Sequence, residues 1–432
     1  MNAYQWTVLL AAWLGWGFDI FDSLLFNYVA PNAVPTLLDI PLGTPAAAAA
    51  TLRWTGALTS LLLIGWAIGG ILFGRVADRI GRTRTLLLTM MMYAVGTAAC
   101  AAAPNMAVLV LCRIVASLGI GGEWAAGAAM VAEVVPERRR VEAGALLYTA
   151  APLGLFLASI VTYQIQGVYF RGSPEVAWRY VFLFGLVPAA VPFFVRLFIK
   201  EPERWTRTAH AAVKSPRLAE LFSPEYRAIT VSGLLMATVA LVTWWSCNAF
   251  LPTVSAGLAA QAAAGLSRVD ATALSESWKA TAANAFNLGG LIGTLLTIPA
   301  SKLLGRRPMF AIYFLLSGVS VLAAFGLPLD PRTRLYMFFP VGLTVFGVFG
   351  AFTYYLPELY PTRLRGTGAG FCYNTGRLIA AIGPFIVGSI AARGSAALSS
   401  ALYVLFFVGF APLAGLLLMP WVVETKHQVL AD

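Results

Sequence analysis

Apolar runs long enough to cross a bilayer recur from one end of the chain to the other, each closed by charged residues, proline or glycine. A hydrocarbon core about 30 Å thick takes roughly 20 helical residues, and runs of about that length lie near 6–29, 54–74, 85–103, 106–131, 143–167 and 177–199. Six more follow near 227–252, 279–301, 309–327, 333–356, 367–391 and 398–422. The pattern predicts an all-α polytopic membrane protein with 12 transmembrane helices. Between helices 6 and 7 the chain turns polar and partly amphipathic, in KEPERW, TRTAH and KSPRLAELF. That change predicts two six-helix bundles, 1–199 and 227–432, joined by a linker over 200–226.

Composition agrees with the pattern. Of 432 residues, 59% are hydrophobic and 11% charged, with mean hydropathy +0.77, whereas soluble domains carry roughly 25% charged residues. A soluble core cannot hide that much apolar surface. The net charge of +11 would suggest nucleic acid in a soluble chain, but here the basic residues sit in short loops between apolar runs, so no nucleic-acid partner is expected. With both termini in the cytoplasm, the loops at 75–84, 138–140, 196–227, 302–307 and 363–365, with Lys426, take most of the 30 basic residues. Arg53, Arg171, Arg179, Arg268, Lys279, Arg332, Arg334 and Arg393 fall on the other side, and Arg113 and Arg377 fall inside the membrane. The positive-inside bias supports that orientation in a cell membrane. The first apolar run lacks a basic leader and contains Asp19 and Asp22, so it reads as helix 1 and not as a cleaved signal peptide. All four cysteines, Cys100, Cys112, Cys247 and Cys372, lie inside apolar runs without metal-ligand spacing, as packing residues do.

An internal repeat is visible. Glu133, Pro136, Arg138 and Arg140 match Glu358, Pro361, Arg363 and Arg365 in type and spacing, and Gly81-Arg82 matches Gly305-Arg306 at nearly the same offset of half the chain. Both pairs follow equivalent helices, which argues for duplicated halves of the kind that enclose a central site in transporters.

On these residues the chain resembles the major facilitator superfamily over essentially its whole length. Gly74-Arg75-Val-Ala-Asp78-Arg79-Ile-Gly81-Arg82 is similar to the signature loop between helices 2 and 3; in the second-half copy Lys302 stands where the Asp would be. Trp178-Arg179, EPERW ending at Trp205 and PELYPTRLRG at 357–366 are similar to sugar-porter motifs. GFDIFD at 17–22, GIGGEW at 119–124 and GFCYNTGR at 370–377 most resemble proton symporters of organic acids, of the sialate and lactate type. The resemblance implies alternating access by a monomer, with no cofactor and no enzymatic activity.

Charges at mid-bilayer cost roughly 2.5–3.5 kcal/mol each on insertion scales, so Asp19, Asp22, Arg113, Glu123 and Arg377 must face the bundle interior or one another. Structural ion pairs are the bland explanation. Asp19 and Asp22 share a helix face, and two buried carboxylates that close cannot both ionise cheaply. Both histidines, His210 and His427, lie in expected cytoplasmic segments, which leaves carboxylates as proton carriers: Asp22 with Glu123, tuned by Asp19. The resemblance to symporters with an acid at this place in helix 4 is what raises Glu123 above a packing position beside Gly119, Gly121 and Gly122. Arg113, about 15 Å up the helix from Glu123 at 1.5 Å per residue, resembles the superfamily's helix 4 arginine and reads as either a coupling partner or a structural charge.

Arg377 points to an anion, because a guanidinium stays charged and grips a carboxylate with two parallel hydrogen bonds. Tyr373 and Asn374 precede it on the same face, and Trp244, Trp245 and Asn248 on helix 7 suit a small amphipathic solute. The expected solute is a small organic anion, a monocarboxylate such as lactate or another organic acid such as sialate or an aromatic acid, moving with protons. A proton-coupled sugar symporter is the nearest rival; a neutral sugar has no use for a fixed cation. Asp78, Arg82, Glu133, Arg138, Glu358, Arg363 and Arg365 sit at equivalent cytoplasmic helix ends and read as a gate of exposed ion pairs, each worth about 0–1 kcal/mol. An enzyme reading lacks support, since the sequence has no intramembrane His, metal-ligand cluster or nucleotide loop.

Overall fold

The computed structural model describes residues 3–135, 139–187, 190, 218–361, 364–394 and 396–426, without the side chains of 3, 74, 75, 78, 79, 82, 122–134, 140 and 141. Twelve membrane helices follow one another: α1 (Ala3–Leu37), α2 (Pro45–Ile80), α3 (Arg82–Cys100), α4 (Met106–Val134), α5 (Arg140–Tyr148, Ala150–Thr162 and a π-turn Tyr163–Tyr169) and α6 (Pro174–Phe184). After a short 3₁₀ turn at Leu218–Phe222 come α7 (Arg227–Asn248 and Leu251–Ala262), α8 (Arg268–Leu303), α9 (Arg306–Gly326) and α10 (Pro331–Val341, a π-turn Gly342–Phe346 and Phe349–Glu358). The last two are α11 (Arg365–Ala380 and Ile382–Ala391) and α12 (Ala397–Val408, Phe410–Gly415 and a 3₁₀ turn Leu416–Trp421). The chain is a multi-pass membrane protein. Most of the expected linker, 200–217, lies outside the described residues.

The breaks inside these helices have a covalent cause. Segments of α5, α7, α11 and α12 stop at Tyr148, Asn248, Ala380 and Val408, each four residues before a proline: Pro152, Pro252, Pro384 and Pro412. A proline ring clashes with the carbonyl four residues back and offers it no N–H, so the helix interrupts there and resumes. Helix starts are equally local. At the face opposite the termini, α2, α8 and α10 begin with side-chain caps: Thr44 accepts from the Ala47 N–H, Ser267 from Asp270, and Asp330 from Arg332 and Thr333. Pro45 and Pro331 stand just inside two of these caps, where the missing N–H costs nothing.

At the face that carries the termini, single glycines make the tight turns between α2 and α3 and between α8 and α9. Gly81 and Gly305 have φ of +106° and +100°, a region closed to side chains, so the duplicated Gly-Arg pair is a duplicated turn. The first six helices meet the last six along a central seam. Gly56 on α2 and Gly388 on α11 bring two backbones together, since a Cβ on Gly56 would lie 2.4 Å from the Pro384 carbonyl, and the Ser60 hydroxyl donates to the Ala381 carbonyl at 2.6 Å. Near the terminal face, Gly144 on α5 packs against Thr353 on α10.

Several helices run past the apolar stretches. α8 starts at Arg268, not near 279, which corrects the placement of Lys279: it is not a loop cation but lies inside α8, 2% exposed. Polar residues that face the seam lower the local hydropathy and so look like loop.

Candidate functional site

Arg377 lies near the middle of α11 and is 2% exposed. Its Nη1 donates to Asn374 Oδ1 at 3.0 Å, and its guanidinium carbon sits 4.2 Å from the centre of the Trp66 ring and 5.0 Å from that of Tyr373. Tyr373 and Asn374 reach it because residues three and four apart share a helix face. Trp66 arrives from α2, across the seam. Among the described residues no carboxylate lies within 4 Å of Arg377, and its Nε has no hydrogen-bond partner. Removing a guanidinium from water costs several kcal/mol. Two ring faces return about 2 kcal/mol each when desolvated, and one amide oxygen about 1.5–3 kcal/mol. The donor fork is only partly used.

Around this cation the two halves contribute a shell of rings. Trp16 (α1) meets Trp66 and Tyr148 at centroid distances of 6.1 and 6.3 Å; Tyr148 stacks on Phe349 at 6.0 Å and touches Phe346 edge-on. Trp244 contacts Trp245 at 4.6 Å and Phe346 at 5.3 Å, while Trp245 meets Trp66 and Phe349 meets Tyr373. The expected Arg377, Asn374, Tyr373 and Trp244 thus fall in one connected cluster. Asn248, one turn further along α7, is buried, with its amide nitrogen unpartnered among the described residues. Sequence reasoning missed Trp16, Trp66, Tyr148, Phe346 and Phe349. The available signal was a tryptophan set among glycines in mid-helix, GWG at 15–17 and GWAIGG at 65–70, where small neighbours leave space for one large ring.

The second buried arginine is differently served. Arg113 on α4 places Nη1 3.9 Å from Asp22 Oδ2 and 3.4 Å from the Thr97 hydroxyl, while Nη2 donates to the backbone carbonyls of Ser23 at 2.9 Å and Asp22 at 3.3 Å. Asp22 therefore faces Arg113 among α1, α3 and α4. Asp19 is fully buried on α1, three residues after Trp16 and so on the face that carries that ring. The backbone of Glu123 belongs to α4; its side chain lies outside the described residues.

At the terminal face, Glu358 takes Arg306 in a two-pronged pair, Nη2 at 2.8 Å and Nε at 3.1 Å, and accepts from the Thr425 hydroxyl. The tail is strapped to the same place: Glu424 accepts the backbone N–H groups of Arg306, Arg307 and Lys426. Burial works to raise the Glu424 carboxyl, but those three donors and the nearby Arg306 charge outweigh it and hold the group below the ordinary glutamate range. Lys302 pairs with Glu142 across the seam. Of the other expected gate residues, Arg365 is half-buried, the side chains of Asp78, Arg82 and Glu133 lie outside the described residues, and so do Arg138 and Arg363 entirely. Arg306, Lys302, Glu142 and Glu424 were not singled out from sequence, although Arg306 and Lys302 lie in the recognised repeat.

The family model of the Major Facilitator Superfamily matches residues 12–384. A putative metabolite transport protein of Haemophilus influenzae is 29% identical over 94% of both chains. The sialic acid transporter of Escherichia coli K12 is 26% identical, covering 87% of this chain and 85% of its own, and the gentisate transporter of Corynebacterium glutamicum 27%, covering 89% and 81%. Among solved structures, a D-xylose-proton symporter superposes with a TM-score of 0.75 at 19% identity, covering 99% of this chain and all of that one.

Proposed function

Since this chain belongs to the Major Facilitator Superfamily, and is therefore a membrane transporter and not an enzyme, we propose that it carries a small organic anion together with protons. The observation that carries this reading is Arg377, a buried guanidinium with part of its donor fork unused and no acid partner among the described residues. A carboxylate would complete it with two parallel, charge-assisted hydrogen bonds. The solute acids named for the Escherichia coli and Corynebacterium relatives are consistent with that chemistry. The ring shell favours an acid with a planar or apolar body over a three-carbon acid such as lactate, because flat faces bury most area against rings at the offset-stacked and edge-on spacings found here.

Coupling follows from charge. Asp19, Asp22 and Glu123 are the candidate proton carriers. With two of them protonated, the third ionised against the Arg113 charge and a carboxylate on Arg377, the loaded interior is neutral, and reorienting it drags little net charge through low dielectric. The bundles 1–199 and 227–432, joined by 200–226, would rock about the site, with both termini cytoplasmic and the protein working as a monomer in the cell membrane.

The test is uptake into proteoliposomes under an imposed inward proton gradient, with labelled short monocarboxylates, sialate, an aromatic acid and a hexose. One acid should accumulate, an uncoupler should abolish the accumulation, and Arg377→Ala should lose it. Accumulation of the hexose, or normal acid uptake by Arg377→Ala, would make Arg377 a structural charge and overturn the reading.

A further inference from the structure

A second buried ion pair lies in the first third of α8, near the face opposite the termini, and none of the chemistry above uses it. Glu276 and Lys279 are each 2% exposed, and Lys279 Nζ lies 2.7 Å from Glu276 Oε1. Both then reach across the seam. Lys279 donates to the backbone carbonyl of Tyr28 at 3.0 Å, and Glu276 accepts from Asn32 Nδ2 at 3.0 Å, both on α1. Asn32 also hydrogen-bonds Gln166, in the π-turn of α5. The fit is close: a Cβ on Gly167 would lie 2.9 Å from Glu276 Cβ.

From this arrangement we infer that Glu276 and Lys279 form the latch of the seam at the face opposite the termini, built as a neutral unit that stays whole when the seam opens. Both charges belong to α8, three residues apart, so separation of the first six helices from the last six leaves the ion pair intact. Of the described hydrogen bonds of this pair, opening breaks two, Lys279 to Tyr28 and Glu276 to Asn32, and the groups released can take up water. Hydration is prepared on the other side as well: the Thr162 hydroxyl and the Gln166 amide nitrogen, both buried on α5, have no partner among the described residues. The neighbouring pair of Arg268 with Glu175 is exposed and shared between the halves, so it must part on every opening. The two devices divide the work: the exposed pair holds lightly, and the buried one sets how firmly the seam closes.

Such a latch predicts opposite effects for one charge and for two. Neutralising Glu276 or Lys279 alone leaves a buried unpaired charge that the closed seam disfavours and the open, hydrated seam tolerates. Neutralising both removes the penalty and keeps a glutamine to accept from Asn32. The reporter is Thr162→Cys, one turn before Gln166, labelled in detergent by a water-soluble maleimide, with the four native cysteines replaced. Labelling should speed up by about tenfold or more in Glu276→Gln and in Lys279→Met, as a shifted two-state population requires, and should return toward the parent rate in the double variant. Asn32→Ala, which removes one cross-seam bond and no charge, should raise it by about two- to fivefold. That variant carries the test if the single charge variants fail to fold. Unchanged labelling in Asn32→Ala and in both single variants overturns the latch; equal labelling in single and double variants overturns the neutral unit.

Discussion

The two arginines that lie within the membrane show what separates a finished cation from an unfinished one. Arg113 has an acid, a hydroxyl and two backbone carbonyls around it, all from α1 and α3 beside its own helix. Among the described residues, Arg377 has one amide oxygen and two ring faces, one of them from the opposite half. Ring faces stabilise a charge without using its N–H groups. A cation held by π-faces keeps donors to offer, while one held by carbonyls has spent them. The same residue type, buried in both places, is part of the frame in one and, on the function proposed above, the partner of a charged solute in the other.

The sharpest way to break this contrast is to change both arginines alike. Arg377→Lys keeps a charge but loses the planar fork, and losing one partner of a buried charged contact costs about 2–5 kcal/mol. Saturable uptake of the preferred acid should fall by about 30-fold or more, with monodispersity and melting temperature kept. Arg113→Lys should do the reverse: a lower melting temperature, with the KM of whatever transport remains little changed. Equal losses of uptake in both variants would erase the distinction.

Asp22 comes next. Asp22→Asn keeps the shape and removes the charge opposite Arg113. If this carboxylate carries the coupled proton, accumulation against a gradient should disappear while exchange of labelled for unlabelled solute continues. Loss of both would mark Asp22 as structural. Trp66→Leu should act more gently, because a desolvated cation–π contact is worth about 2 kcal/mol, which corresponds to roughly 30-fold weaker solute binding, read as a rise in KM.

What could be read in advance divides along the same line. Arg377, Asn374 and Tyr373 were legible as a group because one helix face assembles them, and a spacing of three or four residues is a property of sequence. Trp66 and Tyr148 were not, because their relation to Arg377 runs across the seam between helices far apart in the chain. The twelve helices were legible from hydropathy, and the interruptions of α5, α7, α11 and α12 at Tyr148, Asn248, Ala380 and Val408 follow from four prolines. The start of α8 was misread, because Glu276 and Lys279 look like loop residues to a hydropathy scale when they are the polar lining of an interface. Polarity marks the end of a helix only where water lies beyond it.

Arg306 completes the series and gives the smallest effect. Unlike Arg377 it has a full two-pronged acid partner in Glu358, and the tail residue Glu424 caps its backbone N–H. Because the folded state holds Glu424 below the ordinary glutamate range, its contribution is present above the unfolded-state value, and falls away as pH drops through the lower folded-state value. Hydrogen exchange of the Arg306 and Arg307 amides should therefore accelerate, beyond the intrinsic pH dependence of exchange, only as pH is taken below the ordinary glutamate value of about 4.3 and through the lower folded-state value. Glu424→Gln should show faster exchange at pH 7 and no such extra acceleration. Transport at neutral pH should change by less than about threefold, in line with the small worth of a largely exposed group. An effect as large as that of Arg377→Lys would mean that a completed arginine also limits transport, and the distinction between finished and unfinished cations would not describe how this carrier works.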